Sequence, residues 1–218
     1  MSKSFALEVR KYSGMSKPEV ALVTGANQGI GLQIAKELAA RGFTVLVGSR
    51  NPQRGEQAAK LVGPNARAVQ LDVTDPVSIA AAAERIRSEL GRLDVLVNNA
   101  AISHAQKSGL SFEEMLQHGR PSVATLAEVR AVFETNVFGV VAVTQAMLPL
   151  LREAPVGRIV NVSSEVGSLT RQCDPSNPYR RLRSASYVPS KTALNGITVA
   201  FANELGAEGS GSTGVAAA

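Results

Sequence analysis

The sequence predicts an α/β domain built on a doubly wound parallel sheet with helices on both faces. Three observations carry this. Short β-branched, apolar runs alternate with helix-period stretches along most of the chain, the pattern of right-handed strand–helix–strand crossovers. A glycine-rich turn, Thr24-Gly25-Ala26-Asn27-Gln28-Gly29-Ile30-Gly31, separates the first such run from the first such helix. Hydrophobic residues make up 44% of the 218, with no Trp and only 4% aromatic residues, so the core must be Val, Leu, Ile and Ala. A sheet buried on both faces under alanine-rich helices uses that palette. The length suits one domain.

The elements follow in order. Residues 20–24 form the first strand, and 30–41 the first helix, with Ile34, Ala35 and Leu38 at helical spacing. Gly42 is placed to end that helix. Residues 44–48 read as strand two, 53–61 as a helix and 66–73 as strand three. Asp75-Pro76 opens a third helix with Pro in its first turn. Strand four is 93–98, a long helical stretch covers 125–151, strand five is 158–163, and a last helix runs over 186–205. Two stretches, 103–124 and 170–184, break the alternation and are expected as insertions above the sheet, near a substrate. Residues 206–218 are rich in Gly, Ser and Ala and offer no packing face.

The net charge is +5. A basic balance suits nucleic acid, an anionic membrane or a phosphorylated ligand. The local arginine cluster, Arg180, Arg181 and Arg183 with Arg171 nearby, has no RNA-binding aromatic pattern beside it, so we expect no nucleic-acid partner and read it as a solvated loop. No uninterrupted apolar run approaches the ~18 residues that span a bilayer, so no membrane partner is expected. Residues 1–14 carry Lys3, Glu8, Arg10 and Lys11, lack the apolar stretch of a secretory signal and read as a flexible tail before a single domain at 15–218. Cys173 is the only cysteine. It can form no intrachain disulfide or cysteine metal cluster, and it fits a reducing, cytoplasmic setting.

Chemistry concentrates at three places. The glycine turn lets the backbone approach a pyrophosphate, and the following helix N-terminus offers it free N–H groups. Strand two ends in Gly48-Ser49-Arg50. An acidic residue there would bind a ribose 2′-hydroxyl, whereas Ser49 and Arg50 offer a hydroxyl and a guanidinium suited to a 2′-phosphate, so NADP(H) is the expected cofactor. Tyr187-Val188-Pro189-Ser190-Lys191 opens the last helix, and i, i+4 spacing puts Tyr187 and Lys191 on one face. An ammonium beside a phenol favours the phenolate, and the pair can pass a proton to a carbonyl oxygen. Ser163-Ser164 follows strand five, where a hydroxyl can orient that carbonyl.

Together these residues resemble the classical short-chain dehydrogenase/reductase family over roughly residues 18–205. Residues 24–31 match its Thr-Gly-x-x-x-Gly-x-Gly turn, Asp72-Val73 its adenine-contacting pair, and Asn98-Asn99-Ala100 its Asn-Asn-Ala-Gly motif. Asn136 falls at its helix asparagine, and Tyr187 and Lys191 at its signature pair; of the two serines, Ser164 aligns with the catalytic one. The resemblance implies a three-layer Rossmann-type sheet of order 3-2-1-4-5. It implies Tyr187 as general acid and base, Lys191 as its modulator and a ribose ligand, Ser164 on the carbonyl, and Asn136 supporting a water relay to Lys191. The cofactor would lie on Gly25, Asn27, Gln28, Gly29, Ile30, Gly31, Ser49, Arg50, Asp72, Val73, Asn99, Ala100, Ala101, Tyr187 and Lys191. The expected reaction is NADPH-dependent reduction of a small carbonyl compound, or its reverse, with the long Ser164–Tyr187 gap and Arg50 resembling the carbonyl-reductase side of the family. Reduction of a 3-oxoacyl carrier protein is a further reading. The implied assembly is a homodimer or homotetramer.

Three departures qualify this. Ala101 stands where the motif ends in Gly. Gln28 stands where many NADPH-preferring relatives carry a basic residue, leaving the preference to Arg50. After Leu205 the family expects strand six, a Pro-Gly loop, a lid and strand seven, whereas here residues 215–218 only begin strand six. We therefore expect an unpaired edge on strand five, and a chain that binds cofactor weakly and turns over poorly; the alternative expectation is a catalytically weak or inactive dinucleotide-binding module.

Overall fold

The apolar run Val20–Val23 (β1) becomes the middle of a six-stranded sheet in the computed structural model, which describes residues 18–105, 111–207 and 214–217. The expected tail, 1–14, lies outside the described residues. The other strands are Thr44–Ser49 (β2), Ala66–Gln70 (β3), Val95–Asn98 (β4), Arg158–Asn161 (β5) and Gly214–Ala217 (β6). All pairings are parallel, in the order β3-β2-β1-β4-β5-β6. The helices are Gly29–Ala40 (α1), Pro52–Val62 (α2), Pro76–Leu90 (α3), Phe112–His118 (α4), Leu126–Phe133 (α5), Gly139–Arg152 (α6), Leu169–Cys173 (α7) and Tyr187–Gly206 (α8).

Alternation along each strand sorts the core into two unlike halves. Leu22, Leu46, Leu96 and Ile159 point to one face and meet Ile79 and Ile86 of α3, Met147 and Leu150 of α6, and Leu205 of α8. Ala21, Val23, Val45, Val47 and Val97 point to the other, where Ala35 of α1 and Ala58 and Ala59 of α2 cover them. Small residues on that side let α1 and α2 lie close to the strands, which brings their N-termini to the sheet's upper edge.

Two expectations need correction. The helix expected over 125–151 is interrupted by a π turn, Glu134–Phe138, between α5 and α6. Periodicity cannot reveal one i→i+5 turn, because the apolar stripe resumes after it. By length and composition the combined run Leu126–Arg152 could cross a bilayer, but half of its most apolar window is buried within the fold. The second correction concerns β5. Its outer edge is not unpaired: Gly214 donates its amide to Gly157 O at 2.9 Å, and β6 continues the ladder from Arg158↔Gly214 to Asn161↔Ala217. The expected insertions do lie off the alternation. They hold α4, most of α7 and a 3₁₀ turn at Pro178–Arg181, and the amide of Ala185, just past the second insertion, donates to Gly119 O of the first at 2.8 Å.

A buried polar chain crosses the core beneath the upper edge. Asn98 Nδ2 donates to Thr144 Oγ1 (3.1 Å) and to Asn161 Oδ1 (2.9 Å), and Asn161 Nδ2 donates to Thr198 Oγ1 (2.9 Å). It ties β4 and β5 to α6 and α8. Breaking it should be costly, because its members are fully desolvated. Asn161→Leu is expected to lower the unfolding free energy by about 2–3 kcal/mol, read from urea denaturation; a change below about 0.5 kcal/mol would show that the chain does not hold the sheet to its helices.

Candidate active site

The glycine turn owes its shape to two left-handed residues, Gly25 (φ +63°) and Gly29 (φ +59°). A Cβ on Gly25 would lie 2.9 Å from Ala100 Cα, and one on Gly31 would lie 2.8 Å from the Gly25 carbonyl oxygen, so neither position has room for a side chain. At Gly29 nothing lies within 4 Å of the same point: the turn is open there. Gln28, the residue before α1, gives no side-chain cap, and the first turn holds no acidic residue. The N–H groups at the start of α1 therefore face open space, an arrangement that fits a pyrophosphate.

Thr24 and Asn99 fasten this turn to the end of β4. The amides of Asn99 and Ala100 both donate to Thr24 Oγ1 at 3.0 Å, and Asn99 Nδ2 donates to Thr24 O at 2.9 Å. Ala101, the departure from glycine, is accommodated without strain, since no described non-glycine residue has positive φ.

All residues expected to hold a cofactor, from Gly25 through Arg50, Asp72 and Ala100 to Lys191, line one cleft of about 490 Å³ above the sheet. That volume falls in the usual range for ligand pockets, about 300–1,000 Å³. Ser49 is buried in that lining, 2% exposed, and donates its hydroxyl to Asn51 O at 2.9 Å, which holds the loop after β2. Arg54, which the sequence did not single out, lines the same cleft. Asn51 caps α2 by accepting the Arg54 amide at 2.9 Å, which puts Arg54 in the first turn beside the same opening as Arg50. No ion pair of either guanidinium is formed with a described residue. Asp72 accepts from Thr74 N (3.0 Å) and Thr74 Oγ1 (2.7 Å), which fixes its carboxylate at the cleft rim.

At the opposite end stand Tyr187 and Lys191. Ser184 Oγ accepts the Tyr187 amide at 2.9 Å, and Pro189 falls in the first turn of α8, where it costs no helical bond. Lys191 Nζ lies 5.8 Å from the Tyr187 ring centroid and donates to Val162 O at 2.7 Å. The residue is 3% exposed, and burial pushes its pKa down from the usual 10.5 to about 8.

Asn136 and Ser164 do not line the cleft itself. Asn136 sits in the π turn, where its Oδ1 accepts Ile102 N and its Nδ2 donates to Ile102 O, both at 2.9 Å, and to Ser190 Oγ at 3.0 Å. It thus joins the loop after β4 to the first turn of α8. Ser164 is half-buried and accepts Val166 N at 3.4 Å, at the head of a 3₁₀ turn, Glu165–Gly167. Its neighbour Ser163 reaches the cleft and donates to Asn195 Oδ1 at 2.5 Å.

Comparison with known proteins places this geometry. Residues 19–216 match the family model described as short chain dehydrogenase. The chain is 38% identical over 186 residues to short-chain dehydrogenase/reductase 1 of Saponaria officinalis, which covers 79% of this chain; the match spans 60% of that relative's length. A metagenomic short-chain oxidoreductase in complex with NADP superposes with a TM-score of 0.73 at 28% identity, covering 91% of this chain and 80% of that one. A 3-ketoacyl-(acyl-carrier-protein) reductase from Brucella melitensis complexed with NADH superposes with a TM-score of 0.72 at 28% identity, covering 91% and 73%.

The buried ammonium has a consequence for stability. Below about pH 8 Lys191 is charged in both folded and unfolded chains, and its desolvation weighs against folding in full. Between about 8 and 10.5 the folded protein releases the proton first, the unfolded chain binds more protons, and stability rises with pH. Lys191→Met should lack this rise. Denaturation midpoints at pH 7.5, 9 and 10 test it: parallel trends in the two proteins would contradict the assignment.

Proposed function

From the membership of this chain in the short-chain dehydrogenase family, we propose that it transfers hydride between NADPH and a small-molecule ketone, aldehyde or quinone, or runs the reverse oxidation of an alcohol. One observation carries the reading. Tyr187 and Lys191, one helical turn apart on α8, stand in the wall of the same cleft whose far end is the glycine turn. The nicotinamide, when bound, supplies or accepts the hydride. Tyr187 gives its phenolic proton to the carbonyl oxygen in reduction and takes it back in oxidation. Lys191, charged below about pH 8, stands one helical turn from Tyr187 and reaches the nicotinamide ribose. Ser164 steadies the carbonyl, and Asn136 supports a water relay to Lys191 from its place in the π turn.

The preference for the 2′-phosphate rests on Arg50 and Arg54, two guanidiniums at the opening where an acidic residue would select NADH. The exposed single thiol, Cys173, supports a reducing, cytoplasmic setting. Leu126, Phe138 and Val199, large apolar side chains exposed on α5, the π turn and α8, support pairing with a second copy into a dimer or tetramer.

NADPH consumption at 340 nm with a dicarbonyl or quinone should fall about 10²–10⁴-fold in Tyr187→Phe. Nucleotide affinity should stay near wild type; equal rates in the two proteins would refute the chemistry. For the cofactor, NADPH is expected to bind more tightly than NADH. Arg50→Ala should weaken NADPH on the order of tenfold, and Arg50→Ala with Arg54→Ala should erase the preference. Tighter binding of NADH by the wild-type chain would overturn the cofactor assignment.

A further inference from the structure

We propose that Ser163, Gly167, Thr192 and Asn195 are positioning residues that fasten the segment carrying Ser164 to the helix carrying Tyr187 and Lys191, and so set the reach between the three reacting side chains. The proposal rests on the reductase reading above.

The segment from the end of β5 through the 3₁₀ turn lies along one face of α8. Ser163 Oγ donates to Asn195 Oδ1 at 2.5 Å. Thr192 Oγ1 donates to Gly167 O at 2.9 Å, and Asn195 Nδ2 approaches the same carbonyl at 3.5 Å. Asn195 stands one turn on from both Lys191 (i, i+4) and Thr192 (i, i+3), so the three side chains flank the segment together. Between the two attachments, at 163 and 167, the chain has only three residues, and the first of them is Ser164.

Gly167 makes the approach possible. It is buried, and a Cβ there would lie 2.8 Å from the Lys191 carbonyl carbon, 2.9 Å from its oxygen and 3.0 Å from its Cβ. Backbone meets backbone, so neither side can swing a flexible group away. The contact falls on Lys191 itself, whose Nζ binds Val162 O on the other flank of the same segment. Any widening at Gly167 therefore moves Ser164 away from Tyr187 and opens the wall around the Lys191 stem. A bystander loop would need neither the glycine nor the carbonyl shared by two side chains of α8.

The test compares wild type with Gly167→Ala, Ser163→Ala and Ser163→Thr. A misplacement of about 1 Å is expected to lower kcat on the order of 100-fold in Gly167→Ala and about tenfold in Ser163→Ala, with Ser163→Thr, which keeps the hydroxyl, restoring most of the rate. NADPH affinity should fall far less than kcat, by no more than about tenfold, because only the hold of Lys191 on the nicotinamide ribose is disturbed while the phosphate-binding turn lies at the far end of the cleft. Unchanged kcat, or equal losses of kcat and nucleotide affinity, would overturn the proposal. A second measurement does not need turnover. Amine-reactive labelling mapped by mass spectrometry should rise on the order of tenfold at Lys191 in Gly167→Ala while Lys36 and Lys60 keep their wild-type rates. If the wild-type chain reduces no carbonyl but this rise appears, the reductase reading fails and the fastening stands; unchanged labelling at Lys191 overturns the fastening in either case.

Discussion

A parallel strand cannot return directly to its neighbour; the chain must cross over the sheet and start again at the same end. The six strands among the described residues all obey that constraint, so each releases its chain at one edge. The glycine turn after β1, the Arg50 loop after β2, Asp72 after β3, Asn99 after β4 and Ser163 after β5 are gathered there by topology alone. What topology leaves open is the spacing of these loops, and short polar side chains set it. Thr24 and Asn99 bind the first loop to the fourth, Asn136 binds the fourth to α8, and the Asn98–Asn161–Thr198 chain anchors the same elements from below.

The electrostatics of the cleft follow from that arrangement. Its two ends offer different kinds of positive charge. At one end guanidiniums stand in contact with water on the rim, where an anion can reach them at little desolvation cost. At the other a single ammonium is shut into the wall, held by one carbonyl, and burial weakens its hold on its proton. The helix N-terminus between them adds partial charge from the backbone.

Local chemistry was legible in the sequence, and contact-dependent chemistry was not. The turn at 24–31 declares itself because glycine is required by backbone angle and by close approach, which are properties of the residue and its neighbours. The alternation of strands with helices declares a parallel sheet, while the strand order and the pairing of Tyr187 with Lys191 as reacting groups came from the resemblance of the combined motifs. The bond from Ser49 to Asn51 O could not be read ahead, because a hydroxyl's partner is chosen by the folded loop. Arg54 was passed over because its nearness to Arg50 depends on where α2 begins. The pairing of β6 with β5 could not be read from 214–217, since a short run of small residues has little β-propensity of its own and takes its conformation from the partner ladder. Gly167 gave no signal, as the residue it must accommodate lies 24 positions away.

The π turn at Glu134–Phe138 holds a consequence for how this chain can change over generations. A π turn is an α-helix carrying one surplus residue, and each residue of an α-helix advances the phase by about 100°. Deleting one of these five positions would let the turn close into an ordinary α-helix with Thr144, Met147 and Leu150 still facing the core; what would be lost is the place of Asn136 against Ile102 and Ser190. The helix could therefore shed its surplus residue and keep its packing, but not its bridge from the loop after β4 to α8, so the irregularity endures for what Asn136 holds rather than for the core.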